Sequence, residues 1–236
     1  MTSHHPPTHQ PDQPHQPPHG ELVVVPAVPE AFVTILEQSF MQRAGERFAL
    51  ALSGGSTARR CYEALRHSRS IVWNSVDVFW GDERCVPLHD ENSNSLLARS
   101  ALLDHIDPVG SATPMRGDLG PDNYAAALPA VFDFVHLGLG PDGHTASLFP
   151  GAPELAAPVA TRVVATHDPT GVNKLDRLSI TFGEISRARR VVVTVEGPTK
   201  WWALQQVFAN GDVPASRLIN VNLVWLVDEE AMKGNQ

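Results

Sequence analysis

The amino-acid sequence predicts an α/β protein, a mostly parallel sheet with helices on both faces, carried by one domain. Three observations lead there. Short apolar runs of strand type alternate with amphipathic runs of helical period along most of the chain, the pattern of parallel strands joined by crossover helices. The composition, 42% hydrophobic over 236 residues, is that of an ordinary globular protein able to bury a sizeable core. After residue 20 there is neither a compositional break nor an internal repeat.

The elements follow in order. Residues 1–20 hold five histidines and six prolines with almost no apolar content, so they predict a disordered tail that cannot offset the entropy of ordering. Its histidines are of a kind that binds transition metals, but the stretch reads more simply as a low-complexity extension outside the chemistry. Residues 21–236 form the single domain. It opens with the strand ELVVVP and the helix PEAFVTILEQSFMQRAG. RFALALS, a glycine turn and TARRCYEALRHS form a second strand–helix pair. VDVFWGDE is a third strand, followed by a polar loop and the helix SNSLLARSALLDHI. FDFVHLGLG, RVVAT, RLSITF, RRVVVTVEG and VNLVWLVD read as further strands, with the helix TKWWALQQVFAN between the last two. Trp201, Trp202 and Trp225 read as core or partly buried packing residues.

Charge and cysteine content exclude several classes. A net charge of -8 argues against general nucleic-acid binding, yet a few well-placed cations can still receive a small anion. Cys61 and Cys85 have neither metal nor redox spacing and read as free thiols of a reducing cytosol. No apolar run approaches the ~18 residues of a membrane span, and no signal-peptide pattern opens the chain. The expectation is a cytoplasmic enzyme without nucleic-acid or membrane partners, a monomer or small homo-oligomer.

In open α/β sheets ligands lie beyond the carboxyl ends of the strands, and three polar clusters fall there. Ser53-Gly54-Gly55-Ser56-Thr57 leads from a strand into a helix, where exposed N–H groups and hydroxyls suit an anion. It lacks the Lys-Ser/Thr ending of a nucleotide loop and is not GxGxxG, so a sugar phosphate suits it better; the bland alternative is a capped turn. Gly81-Asp82-Glu83-Arg84 puts a forked, permanently charged donor at a strand end, unless Arg84 merely joins a surface ion pair. Asp142-Gly143-His144 places a carboxylate beside a histidine suited to general-base work. No GxSxG elbow supports Ser147 as a nucleophile, and His89, His136 and His167 give no zinc spacing with His144.

LSGGSTARRCYEAL, VFWGDERCVPLHDENSNSLLARSALL and DFVHLGLGPDGHTASLFPG together resemble the 6-phosphogluconolactonases, of the glucosamine-6-phosphate isomerase/6-phosphogluconolactonase superfamily. RLSITFGEISRARRVVVTVEGPTK, VPASRL and VWLVDEEA extend the likeness, in order, over residues 22–231. The related deaminases carry Met-Asp-Glu-Tyr where this chain has Gly81-Asp82-Glu83-Arg84, and Asn-Glu-Pro-Gly after their DGH where it has Thr145-Ala146-Ser147-Leu148.

The resemblance implies a three-layer α/β/α fold, a modified Rossmann-like sheet of the sugar-phosphate isomerase/deaminase type. It implies hydrolysis of 6-phospho-D-glucono-1,5-lactone to 6-phosphogluconate, the second step of the oxidative pentose phosphate pathway, without metal or organic cofactor. His144 carries over as the base activating water, Asp142 as its orienting group and Arg84 as the active-site arginine. Gly54, Gly55, Ser56 and Thr57 carry over as phosphate-side contacts, and Asn94 as a residue that caps its helix or lines the pocket. A substrate-binding lysine is implied before the RLS strand; Lys174 in THDPTGVNKLDRLS is the nearest candidate, with Lys200 of EGPTK as the other. Ala58 stands where the family usually has Pro. The remaining alternatives are a deaminase or isomerase of the same fold and a non-catalytic sugar-phosphate-binding protein.

Overall fold

The computed structural model describes residues 16–234. Most of the predicted tail, residues 1–15, lies outside the described residues. Residues 16–20 lie against the fold: Pro17 is buried, and the His19 carbonyl accepts a hydrogen bond from the Trp225 indole N–H at 2.9 Å.

From there the chain runs β1 (Glu21–Val25), α1 (Val28–Met41), β2 (Phe48–Leu52), α2 (Ser56–Leu65), β3 (Val76–Trp80), β4 (Asp82–Arg84), α3 (Asn94–Ala101), β5 (Ser111–Ala112) and α4 (Gly120–Ala127). It continues through β6 (Phe134–Gly138), β7 (Val163–Thr166), β8 (Arg177–Ile180), α5 (Phe182–Ser186), β9 (Val191–Val195), α6 (Trp201–Phe208), β10 (Leu223–Asp228) and α7 (Glu229–Lys233). Seven strands form one sheet in the order β1-β10-β9-β6-β2-β3-β5, every neighbouring pair parallel. Both faces of a parallel sheet are covered by crossover helices, so its central strands are apolar without alternation. FALAL in β2 and VVVTV in β9 are buried at every position, whereas edge strand β1 is half-exposed.

Helix α1 shows how a helix is fixed to this sheet. Pro29 occupies its first turn, where a missing N–H costs nothing. Val28, Phe32, Leu36 and Phe40 recur every four residues and form its buried stripe. Phe32 meets the Phe134 ring edge-on at 5.8 Å and lies 4.3 Å from the buried His136 ring.

The expected strands and helices form, with one correction in their arrangement. VDVFWGDE does not run straight: at Gly81 the chain leaves the parallel sheet, and residues 82–84 pair antiparallel with β8, which pairs with β7. The stretches RVVAT and RLSITF therefore belong to a separate three-stranded sheet, β4-β8-β7. The link from β7 to β8 contains no helix, and a parallel return needs a crossover of a dozen or more residues, so antiparallel pairing is the geometry available. Trp225 is buried as expected, but Trp201 and Trp202 are exposed on the first turn of α6.

Replacing Phe32 with Ala removes a fully buried ring shared by helix and sheet. We expect a loss of about 3–5 kcal/mol, read as a lower urea midpoint at unchanged slope. A loss below about 1 kcal/mol would show that the α1 stripe does not carry this packing.

Candidate active site

The winding of the sheet determines where a ligand fits. From β2 the chain moves outward to β3 and β5, then returns to β6 on the other side of β2 and proceeds to β9 and β10. Strands β2 and β6 are neighbours at this reversal, and the loops leaving their carboxyl ends diverge. A cleft of about 350 Å³ opens there, lined from the loops after β2, β6 and β9, from β4 and from the start of β8.

Gly54, Gly55, Ser56 and Thr57 form one wall. Gly55 is the N-cap of α2, no side chain caps that helix, and its first turn carries no acid, so its amide groups are left for an anion. Beneath the wall, the Tyr62 hydroxyl accepts from the Ser53 N–H at 2.6 Å and donates to its carbonyl at 3.2 Å. The same hydroxyl lies 2.9 Å from Nδ1 of His136, whose Nε2 lies 2.9 Å from the Thr194 hydroxyl. Burial pushes the His136 pKa down to about 3, so this histidine is a neutral strut between α2 and β9.

Opposite, Nδ1 of His144 lies 2.6 Å from Oδ1 of Asp142, which also accepts the His144 backbone N–H at 3.2 Å. In the neutral ring, Nδ1–H then donates to the carboxylate and Nε2 is left as the basic nitrogen. Burial raises the Asp142 carboxyl, but the hydrogen bonds and electrostatic attraction of His144 outweigh it and hold Asp142 below the usual carboxylate range. His144 lines the cleft while Asp142 stands behind it. Two glycines make the turn possible. A side chain on Gly140 would begin 2.1 Å from His144 Nδ1, and Gly143 has φ +82°, the left-handed region that favours glycine.

The floor comes from β4 and β8. Asp82 accepts from the Ser147 hydroxyl at 2.6 Å and from the Asn94 amide at 3.2 Å, so Ser147 is engaged as a structural donor. Glu83 turns away from the cleft and receives the N–H groups of Arg84, Asn94 and Ser95 and the Ser93 hydroxyl. Burial raises the Glu83 carboxyl and these donors oppose the rise. Ser93, not Asn94, caps α3; Asn94 is fully buried, lines the cleft and holds Asp82 in place.

Arg84 makes no carboxylate pair among the described residues; it donates to the Asn92 carbonyl, and its buried Nε has no partner. In the β4–β8 register Arg84 stands directly opposite Arg177, which also lines the cleft with a buried, unpartnered Nε. Like charges at directly opposed strand positions are unfavourable. The Asp82 carboxylate, 3.8 Å from Arg177, outweighs that repulsion, and it is burial that lowers the Arg177 pKa.

Lys200 lines the cleft, and burial lowers its pKa against the charge of Asp142. Lys174 does not line it: this lysine is exposed on the loop between β7 and β8. That loop is wound around Asp168, whose carboxylate accepts from the N–H and hydroxyl of Thr170 and from the N–H and amide of Asn173. Asn173 in turn accepts from Arg177 at 3.4 Å. The cation entering the cleft from this region is therefore Arg177. Its only sequence signal was its place as the first residue of a strand, and the antiparallel turn of β4 that makes the position matter was not visible. Among the described residues no group of three or more His, Cys, Asp or Glu side chains is gathered as a metal site, and no helix is long and apolar enough to cross a membrane.

Comparison with known proteins agrees with this fold. The family model described as glucosamine-6-phosphate isomerases/6-phosphogluconolactonase matches residues 23–225. A 6-phosphogluconolactonase of Synechocystis is 38% identical over 203 residues, 77% of this chain and 82% of that protein. The crystal structure of a 6-phosphogluconolactonase from Leishmania guyanensis superposes with a TM-score of 0.78 at 25% identity, covering 92% of this chain and 99% of that one. A monomeric glucosamine-6-phosphate deaminase reaches a TM-score of 0.77 at 18% identity, covering 89% and 98%, a likeness of fold alone.

The Asp168 turn makes a pH-dependent prediction. Burial raises its carboxyl, but the Thr170 and Asn173 donors bring it well below the usual range. Its stabilisation is therefore complete above the unfolded pKa of about 4 and declines as pH falls through the lower folded value. Asp168→Ala should cost about 2 kcal/mol at neutral pH, with the gap to wild type closing in acid denaturation. A gap independent of pH would refute this account.

Proposed function

Because the chain belongs to the glucosamine-6-phosphate isomerase/6-phosphogluconolactonase family, we propose that it hydrolyses 6-phospho-D-glucono-1,5-lactone to 6-phospho-D-gluconate, with His144 as general base. The observation that carries this reading is the Asp142–His144 pair at 2.6 Å, bordering a cleft in which Arg84 and Arg177 stand opposed. A general base without a nucleophilic side chain beside it suits the activation of water.

In this mechanism Nε2 of His144 takes a proton from a water attacking C1 of the lactone. The oxyanion formed at C1 is stabilised by the guanidinium donors of Arg84 and Arg177, which need little reorganisation because protein contacts already hold them. As the C1–ring oxygen bond breaks, the protonated His144 returns its proton to that oxygen, giving the open-chain acid, which ionises. Asp142 keeps the ring in the tautomer with Nε2 free and stabilises the imidazolium. Gly54, Gly55, Ser56, Thr57 and Lys200 receive the phosphate, and anchoring that remote group holds C1 against the water. No covalent intermediate and no cofactor enters the scheme.

With freshly made lactone, acid release above the spontaneous rate should fall by at least about 100-fold in His144→Ala. Wild-type turnover by that variant would overturn His144 as the base. Arg177→Met should weaken substrate capture or turnover by about tenfold, whereas Lys174→Met should change neither. Ammonia release from glucosamine 6-phosphate by the wild-type protein would favour the deaminase reading instead.

A further inference from the structure

Glu196 is out of place in a receptor for an anion. It ends the run from β9, lines the cleft with Thr57, Thr199 and Lys200, and is only 14% exposed. It also stands near the amino end of α2, where its charge opposes the attraction of the free amide groups for an anion. The charges around the cleft make the difficulty definite. Among the residues that line it, Arg84, Arg177 and Lys200 supply three cations, and Asp82 and Glu196 supply two anions. Glu196 therefore cancels one of the two cations that Asp82 leaves unopposed.

Arg60 changes the balance. It lies on α2, one turn beyond the loop, and its Nη2 donates to Glu196 Oε2 at 2.6 Å and lies 3.5 Å from the Thr57 hydroxyl. Its guanidinium is half-exposed and outside the lining, so the pair contributes little to stability. We propose that Arg60 is a specificity-determining residue, which neutralises Glu196 and so preserves the excess of cations that makes the cleft a receptor for a phosphorylated substrate. The bridge also ties α2 to the segment leading to Lys200, holding the two halves of the anion site together. This inference rests on the reading of the cleft as a sugar-phosphate site, and Arg60 takes no part in proton transfer.

The test compares Arg60→Met, Arg60→Lys, Glu196→Gln and the double variant Arg60→Met/Glu196→Gln. Arg60→Met should raise KM for the phosphorylated lactone about tenfold at low salt with kcat nearly unchanged. Arg60→Lys should restore most of the loss. The double variant should return toward wild type, because removing the carboxylate removes the need for its partner. Turnover of the unphosphorylated 1,5-gluconolactone should be equal in all five proteins. An unchanged KM in Arg60→Met, or a double variant as impaired as the single, would overturn the proposal. Binding of inorganic phosphate, followed by calorimetry, should show the same order of variants. If the wild-type protein hydrolysed no lactone but phosphate binding kept this order, the lactonase reading would fail and the role of Arg60 would stand.

Discussion

Everything in the cleft depends on the reversal of winding between β2 and β6. A parallel sheet whose chain moves in one direction throughout sends its loops over one another. One that turns back at a central strand must part them. Here the parted loops are the glycine-rich entry to α2 and the Asp142–His144 turn, residues separated by almost ninety positions of chain. The Tyr62–His136–Thr194 strut lies beneath that point and couples α2 to β9 through β6. Because His136 is neutral and fully buried, the strut holds the loops without adding charge to the site.

The small antiparallel sheet supplies what the main sheet cannot. A parallel strand ends where its loop begins, so it offers one residue to a crevice. By leaving the sheet at Gly81, the chain brings β4 across the opening and lays β8 beside it, which sets two guanidiniums against each other. Burying Arg177 there costs hydration, and polar groups take the place of water: Asp82 beside it, Asn173 and Ser147 within reach of its guanidinium, while Arg84 donates to the Asn92 carbonyl. The buried Nε atoms remain unpartnered.

The acids of the GDER stretch divide the work. Glu83 is committed to the amino end of α3 and Asp82 to the floor, leaving Arg84 as the cation that this stretch brings to the cleft. The fold is shared with a glucosamine-6-phosphate deaminase, so the chemistry must be argued from the residues at the strand ends and not from the backbone.

Much was legible in the sequence. Apolar runs without alternation predicted the buried parallel strands, and the glycine-rich and Asp-Gly-His stretches had to follow them, since backbone turns and local spacing are local properties. The Asp142–His144 contact belongs to this class, being two residues long. That Arg177 enters the cleft and Lys174 does not was not legible, because it depends on the direction β4 takes after Gly81 and on the Asp168 turn. Nor was the pairing of Arg60 with Glu196, which joins positions 136 residues apart. Sequence by itself determined which chemical groups exist and which neighbours share a turn. Only the tertiary structure decided which charges face one another, because electrostatic energy depends on distances in space that chain separation does not set.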